Sequence, residues 1–415
     1  MNYDVKGMKL AEAGAMQIEY AASQMGALLE VIKRFEKEKP LKGERIAMAL
    51  HVTKETAMLV RALIAGGAKV AITGCNPLST QDDVAAALAK DGVQVYAHKG
   101  ETREQYYEFI NKVLDIKPTV TIDDGCDLIS EIHQKRTELL SGLKVGTEET
   151  TTGVIRLRAM ENDNALKYPV IAVNDNKTKH LFDNYYGTGQ STIDGILRCT
   201  NVLFAGKIVV VCGYGDCGRG VASRAQGMGS EVIVCEVDAV RALQARMDGY
   251  RVMPIAEAAK LGEIFITVTG NKHVIRTEHI KEMKDNAILA NSGHFDVEID
   301  VAGLEKMAKS KKRIRHYLDK YTLAGGKNVL LCGEGRLVNL AAAEGHPSTV
   351  MSLSFCGQSL AAEYGVKNKL RAGVHQLPAE VDNMIAELQL KAMGISKDSL
   401  TAEQKKYSES WKEGT

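Results

Sequence analysis

The sequence predicts an α/β protein built from two doubly wound, Rossmann-like units, and three observations predict it. Short apolar runs of strand length alternate with amphipathic stretches along most of the 415 residues. The alternation occurs twice, once ahead of about residue 125 and again from Asn201, which divides the chain into two sheets. A composition of 45% hydrophobic and 25% charged residues is that of a globular chain with a sizeable core. At roughly 100–200 residues per domain, the length suggests two or three domains.

The elements follow in order. From Leu10 to about Lys39 the apolar residues recur at helical spacing, and EKEKPLKG reads as a helix stop and linker, so a helical arm is expected before the first sheet. The runs IAMALHV, KVAITGCN, VQVYAH and TVTIDDG then read as strands, separated by helical stretches such as KETAMLVRALIAGG and TQDDVAAALAKDG. The second series comprises KIVVVCGYG, EVIVCEVD, RVMPI, EIFITVTG, AILANSG and NVLLCGEG. From Ser348 the chain reads as mainly helical and ends in a polar stretch, SKDSLTAEQKKYSESWKEGT.

Charge and cysteine usage exclude several function classes. With 53 basic and 52 acidic side chains the formal charge is +1, which excludes a charge-driven binder of nucleic acid or membrane surfaces. The eight cysteines show no CxxC pair, so neither a zinc site nor a disulfide framework is indicated and no metal is expected. A reducing, cytoplasmic location fits best. No basic segment precedes a long apolar core at the N-terminus, and no run approaches 18 apolar residues, so neither an export signal nor a membrane span is expected.

The strand-like KIVVVCG leads into GYGDCGRG and then a helical stretch, which places Gly213, Gly215, Gly218 and Gly220 at a strand-to-helix turn. Small residues there let a backbone approach a pyrophosphate at a helix N-terminus. The next strand ends in Glu236, where an acid can accept hydrogen bonds from an adenosine ribose diol. Glu236 would repel a 2′-phosphate, which favours NAD over NADP, although Arg241 could pair with such a phosphate.

Other polar residues gather at expected strand ends: His51 with Thr53 and Glu55, CNPLSTQDD, Asp123 and Asp124, EETTTG, NDNKTKHLFDN, NSGHFD and EGRLVN with GHPS. Ligands of open α/β sheets collect beyond those ends, so several stretches should share one cleft. Lys179 and Asp183, four apart, face the same side of a helix. Alone they are equally a solvated ion pair; beside a nucleotide site, a lysine whose proton affinity is lowered by burial or cationic neighbours becomes a base. His51 and His294 are otherwise core or capping groups, one of the Asp123–Asp124 pair is explained by capping, and the threonines of EETTTG could cap a helix or fold back on the backbone.

Together the strings GCNPLSTQDD, DDG, EETTTG, VND, FDN, GYGDCGRG, GHFDVEID, EGRLVNL and GHPS resemble those of S-adenosylhomocysteine hydrolases (adenosylhomocysteinases) of the archaeal, short-tailed kind, from about Lys42 to Lys391. The resemblance implies tightly held NAD+, one per subunit, that oxidises a nucleoside 3′-hydroxyl. The 4′ proton becomes acidic, elimination releases homocysteine, water adds at C5′, and the alcohol is restored. It implies Lys179 and Asp183 at the 3′-hydroxyl, with Lys179 assisting deprotonation and Asn184 orienting it. Asp124, His51 and His294 would manage protons at C4′ and C5′. Glu149 and Asn174 would complete the sugar network, His346 would lie beside the base, and Met351 would line the substrate side. Thr150, Thr151, Thr152, Asp216, Cys217, Ser292 and Gly293 would join the glycines, Glu236 and Arg241 around NAD, with Asn339 on the nicotinamide amide.

The base itself is read from HVTKET. Thr53 and the acceptor Glu55 suit an exocyclic amino group, whereas a 6-oxo base would call for a donor such as lysine. Adenosine is therefore expected, with strand alternation turning Lys54 away from the face of Glu55. The resemblance further implies a discontinuous substrate domain (1–183 and 347–390), an inserted NAD domain (184–346), a tail (391–415) on a neighbouring protomer, hinges near 184–190 and 339–346, and a homotetramer. Three departures stand out: Thr188 where many members have cysteine, Arg241 for an asparagine, and an ending, SESWKEGT, in which Trp411 and Lys412 are the candidates to replace a longer tail's contacts. An S-inosyl-L-homocysteine hydrolase, an ordinary NAD-dependent dehydrogenase and a non-catalytic NAD-binding regulator are the alternatives.

Overall fold

The computed structural model of the chain describes residues 2–412. In chain order the first strands are β1 (Tyr3–Val5), β2 (Arg45–Ala49), β3 (Lys69–Thr73), β4 (Gln94–Ala97), β5 (Val120–Asp123), β6 (Val145–Glu148), β7 (Pro169–Ala172) and β8 (Ile208–Cys212). They are followed by β9 (Glu231–Cys235), β10 (Arg251–Val252), β11 (Ile264–Thr267), β12 (Ala287–Asn291), β13 (Ala308–Arg315), β14 (Leu318–Leu323), β15 (Asn328–Cys332) and β16 (Gly373–His375). They form two eight-stranded sheets, ordered β1-β4-β3-β2-β5-β6-β7-β16 and β10-β9-β8-β11-β12-β15-β14-β13. The first is wholly parallel, and the second turns antiparallel only at β13–β14–β15.

Strands such as β5, β6, β7, β11 and β12 are buried along their whole length, as parallel strands covered by helices on both faces must be. Their sequences are accordingly short apolar runs rather than alternating ones. After the second sheet the chain returns to the first. The helix Ser348–Lys367 puts Leu353, Phe355, Cys356 and Leu360 into the same core as Ile46, Met48 and Ile72, and β16 then pairs with β7.

The helical arm differs from expectation. It is two helices, Ala11–Gln24 and Gly26–Glu38, broken at Met25 (φ −109°, ψ 50°), and β1 ahead of them belongs to the first sheet. Three residues carry no readable period, so β1 and β16 are invisible in the sequence. RVMPI yields only the two-residue β10, and β13 escapes the pattern because AKSKKRIR is charged and mostly exposed. Such a lysine-rich edge resists pairing with another sheet. Lys39, in the left-handed region at φ 49°, ends the second helix where a stop was expected. Among the described residues no helix is long and apolar enough to cross a membrane.

Candidate active site

Near the middle of each sheet the order of the parallel strands reverses, between β2 and β5 in the first and between β8 and β11 in the second, and polar side chains follow the strands there. In the first sheet β2 and β5 are neighbours, with β3 on one side and β6 on the other. His51 lies just past β2, Asp124 just past β5, Glu149 past β6 and Asn174 past β7. In the second sheet β8 and β11 are neighbours; Gly213 follows β8, Glu236 follows β9, and Ser292, Gly293 and His294 follow β12. One cavity of about 1000 Å³ takes lining residues from both sets. This is where a doubly wound sheet holds a ligand, here with the two crevices joined.

The glycine turn divides its work among its residues. Gly213 adopts φ +107°, which favours glycine, and Gly215 caps the helix Asp216–Gly227 on the cavity wall. Gly218 does not line the cavity, contrary to expectation. A Cβ there would lie 2.1 Å from the Gly213 carbonyl oxygen, so this glycine lets the helix press against the turn. Gly220 is likewise a packing position, 1.9 Å from the Tyr185 carbonyl by the same measure. Glu236 accepts from the amides of Tyr214 (2.7 Å), Val237 (2.7 Å) and Asp238 (3.0 Å), and Arg241 Nη1 lies 3.6 Å from a Cβ built on Gly215.

Lys179 and Asp183 meet, but through an unusual turn. Residues His180–Gly187 form a π-helix, a form frequent at functional sites, and Lys179 Nζ reaches Asp183 Oδ2 at 3.0 Å. The ammonium also donates to Asn184 Oδ1 (2.8 Å) and Asn174 Oδ1 (3.3 Å) and lies 3.6 Å from Glu149 Oε1. Burial lowers its proton affinity, but Asp183 and Glu149 outweigh burial and hold it above the ordinary lysine value. The lowering expected from the sequence therefore does not occur, because the neighbours are anions rather than cations. Burial raises the Asp183 carboxyl, yet His346 and Lys179 together keep it well below the usual range. Burial pushes Glu149 up to about 7 against the opposing pull of Lys179. Asn174 lines nothing itself; its carbonyl receives Lys179, Asn184 (3.1 Å) and Thr151 (3.3 Å) from behind.

A second cluster lines the same cavity as the lysine. His51 Nε2 lies 3.5 Å from Asp124 Oδ2, and His294 Nδ1 lies 3.7 Å from Asp124 Oδ1. Burial pushes His51 down to about 4, although Asp124 pulls the other way. Asp123 turns inward to the amides of Asp124 and Ile129 at 2.9 and 2.8 Å, so capping accounts for it and leaves Asp124 to the cavity. Gly125, at φ +106°, makes room for His294: a Cβ there would lie 2.2 Å from its Nε2. Ligand atoms of His51, Asp124 and His294 all lie within 4.8 Å of one another, a spacing that suits a divalent cation. Residues so far apart in sequence escape any argument from cysteine spacing.

Two sequence models now bear on this geometry. One, described as S-adenosyl-L-homocysteine hydrolase, matches residues 2–145; the other, described as S-adenosyl-L-homocysteine hydrolase, NAD binding domain, matches residues 184–345. Over 415 residues and all of both proteins, the chain is 60% identical to an S-inosyl-L-homocysteine hydrolase of Methanocaldococcus jannaschii. It is 58% identical to an adenosylhomocysteinase of Saccharolobus solfataricus, again over 100% of both chains. The chain belongs to the S-adenosyl-L-homocysteine hydrolase family. A solved dipicolinate synthase component of Bacillus halodurans, 15% identical, covers 79% of this chain and 99% of its own at a TM-score of 0.50, and shares the fold alone.

The family's cofactor is NAD, and the residues fit it. The side of Gly215 facing the cavity is clear of side chains but for Arg241, and Asn339 Oδ1 is buried on the cavity wall without a partner, as an acceptor awaiting an amide would be. Thr150, Thr151, Thr152, Asp216, Cys217, Ser292 and Gly293 line the same cavity. Thr150 makes no side-chain cap to the helix Thr151–Asn162, so the capping alternative for EETTTG is not realised there. Thr188 donates to Cys217 Sγ at 3.5 Å, so a thiol lies beside it.

The base end departs from the sequence reading in two ways. Thr53 caps the helix Lys54–Ala65, so Lys54 and Glu55 are consecutive on a helical turn, where strand alternation does not apply. Lys54 Nζ instead approaches Glu55 Oε1 at 3.4 Å. Secondly, His346, expected beside the base, meets Asp183 Oδ1 through Nδ1 at 2.5 Å and so joins the lysine cluster. Thr53, Glu55 and Met351 do line the cavity, and Ser348 donates to Glu55 Oε1 at 2.6 Å. Sequence reasoning gives no role to Cys75, whose Sγ lies 3.2 Å from His51 Nδ1, or to Gly125, Glu148 and Ser348. Each nevertheless stands in a string singled out above, CNPLSTQDD, DDG, EETTTG and GHPS. Glu148 Oε1 ties the Gly125 and Thr150 amides (2.9 and 3.0 Å) into one frame.

Proposed function

We propose that the chain reversibly hydrolyses S-adenosyl-L-homocysteine to adenosine and L-homocysteine. The observation that carries this reading is the single cavity shared by the glycine turn, the Lys179–Asp183 pair and the His51–Asp124–His294 cluster. Bound NAD+ supplies a reversible two-electron oxidation at the carbon bearing the 3′-hydroxyl. Lys179 remains the ammonium that Asp183 and Glu149 hold: as the carbon is oxidised it receives the hydroxyl proton and passes one of its own through Asp183 toward His346, along contacts of 3.0 and 2.5 Å. Asn184 and Asn174 hold the lysine, and Glu149 binds the sugar. Across the cavity Asp124 accepts the acidified 4′ proton. His51, kept neutral at pH 7 by burial, relays it to the departing sulfur, and with His294 it then guides water to C5′.

Glu55 supports adenine, because a carboxylate accepts from an exocyclic amino group and a 6-oxo group offers it nothing. The 60% identical relative named S-inosyl-L-homocysteine hydrolase is the reason to keep the inosyl compound as a second reading. Competition between the two thioethers tests the choice: preferential release of homocysteine from the adenosyl compound is expected, and preference for the inosyl compound overturns the base assignment alone.

The return of β16 to the first sheet supports a substrate domain of residues 1–183 and 347–390, an NAD domain of 184–346, and hinges at the two crossings. Closure would exclude water while the keto intermediate exists. We assign the tail, 391–415, to contact within a homotetramer; residues 413–415 lie outside the described residues, and Trp411, 90% exposed, is free to make such a contact. Eight free thiols suit a cytoplasmic enzyme.

A further inference from the structure

Glu55 does not meet the cavity alone. Its contacts with Ser348 Oγ (2.6 Å) and Lys54 Nζ (3.4 Å) both fall on Oε1. Lys54 is 5% exposed and absent from the cavity wall, so its ammonium stands behind Glu55 rather than against a ligand. The same ammonium reaches Glu344 Oε2 at 3.1 Å, and Glu344 Oε1 receives Arg198 Nη2 at 3.1 Å. Glu344 and Ser348 lie on the segment that carries the chain back from the second sheet to the first. Glu55 is thus tied to that crossing twice, directly through Ser348 and indirectly through Lys54 and Glu344.

Burial depresses the proton affinity of Lys54, but Glu55 and Glu344 more than restore it, so the amine stays charged. A buried cation beside a carboxylate fixes the direction of its lone pairs. A 6-amino base needs such an acceptor, whereas a 6-oxo base needs a donor.

We propose that Lys54 is a positioning residue for base discrimination: it clamps Glu55 Oε1 to the return crossing through Glu344, which leaves Oε2 as a fixed acceptor for the 6-amino group. This rests on the reading of Glu55 as the base reader. The clamp makes base recognition depend on the crossing that moves when the domains close. Lys54 itself touches neither substrate nor cofactor.

The test uses holoenzyme and measures kcat/KM for adenosine and inosine in the direction of thioether synthesis with homocysteine. For Lys54→Met we expect the adenosine-over-inosine ratio to fall about tenfold, the scale of one charged hydrogen bond. The loss should lie in KM for adenosine, with kcat within about twofold and NAD content unchanged, and Lys54→Arg should restore most of the ratio. Glu344→Gln, at an exposed side chain, should lower the ratio in the same direction by about threefold, and it decides the question if Lys54→Met does not fold. A purely structural role would depress both nucleosides alike. The inference is overturned if Glu55→Gln abolishes discrimination while Lys54→Met and Glu344→Gln leave the ratio unchanged. If Glu55→Gln also leaves it unchanged, the base reading itself fails and the clamp with it.

Discussion

The two halves of the cavity are built in opposite ways. On the second sheet, one turn of eight residues, GYGDCGRG, supplies a tight bend, an open backbone and a close helix contact at Gly213, Gly215 and Gly218. The reacting side chains are instead dispersed: His51, Asp124 and Lys179 come from the first sheet's strand ends, His346 from the return crossing, and His294 reaches across from the second sheet. A backbone site is a local property of the chain. A side-chain site is a property of sheet order, because it exists only where β2 and β5 become neighbours. The difference predicts that each half fails separately.

The largest expected effect is on the dispersed half. Lys179→Ala should slow 3′-oxidation by about 10²-fold or more, the scale of a positioned acid or base, while bound NAD stays unchanged. Rapid-mixing absorbance of the oxidation half-reaction checks this, and a variant with normal turnover removes Lys179 from the chemistry. Next comes a test of burial in that half. Unfolded His51 binds a proton near pH 6.5 and folded His51 only near 4, so the unfolded chain holds the extra proton in that window and stability falls as pH falls through it. At 1.36 kcal/mol per pH unit the full cost is about 3 kcal/mol, and His51→Asn should lose that share of the acid sensitivity. Parallel melting curves across the window for both proteins would contradict the burial argument.

Gly218→Ala makes the converse cut. A Cβ 2.1 Å from the Gly213 carbonyl oxygen forces helix and turn apart, which at about 1–3 kcal/mol weakens NAD retention roughly tenfold or more. The first sheet should keep its melting behaviour, and full retention of cofactor after gel filtration would show that the contact yields without cost. The smallest effect sharpens specificity rather than activity: Glu55→Lys should shift preference toward inosine by about tenfold, read from the ratio of kcat/KM values.

The same contrast explains what the sequence reveals. The parallel strands are legible because buried strands are apolar runs, and the nucleotide turn is legible because its glycines, strand and acid are contiguous. β13 is hidden by its charge, and β1 and β16 by their length. In the site, Lys179 and Asp183 are visible as a pair, but the anions that raise rather than lower the lysine's proton affinity come from residues 149 and 183 in three dimensions. Lys54 is misplaced by pattern because HVTKET continues an apolar strand, while Thr53 is already the cap of a helix. Pattern locates the ligands' side of each sheet; only the fold decides which side chains meet there.

The central claim is that a redox cofactor held by one half serves a hydrolysis carried out by the other. The most direct measurement counts homocysteine released from S-adenosyl-L-homocysteine in a sample whose bound NAD is quantified and whose NADH absorbance is followed throughout. Many homocysteines per bound NAD with no net NADH is the predicted result. NADH accumulating in step with substrate consumed would make the chain a dehydrogenase and contradict the account.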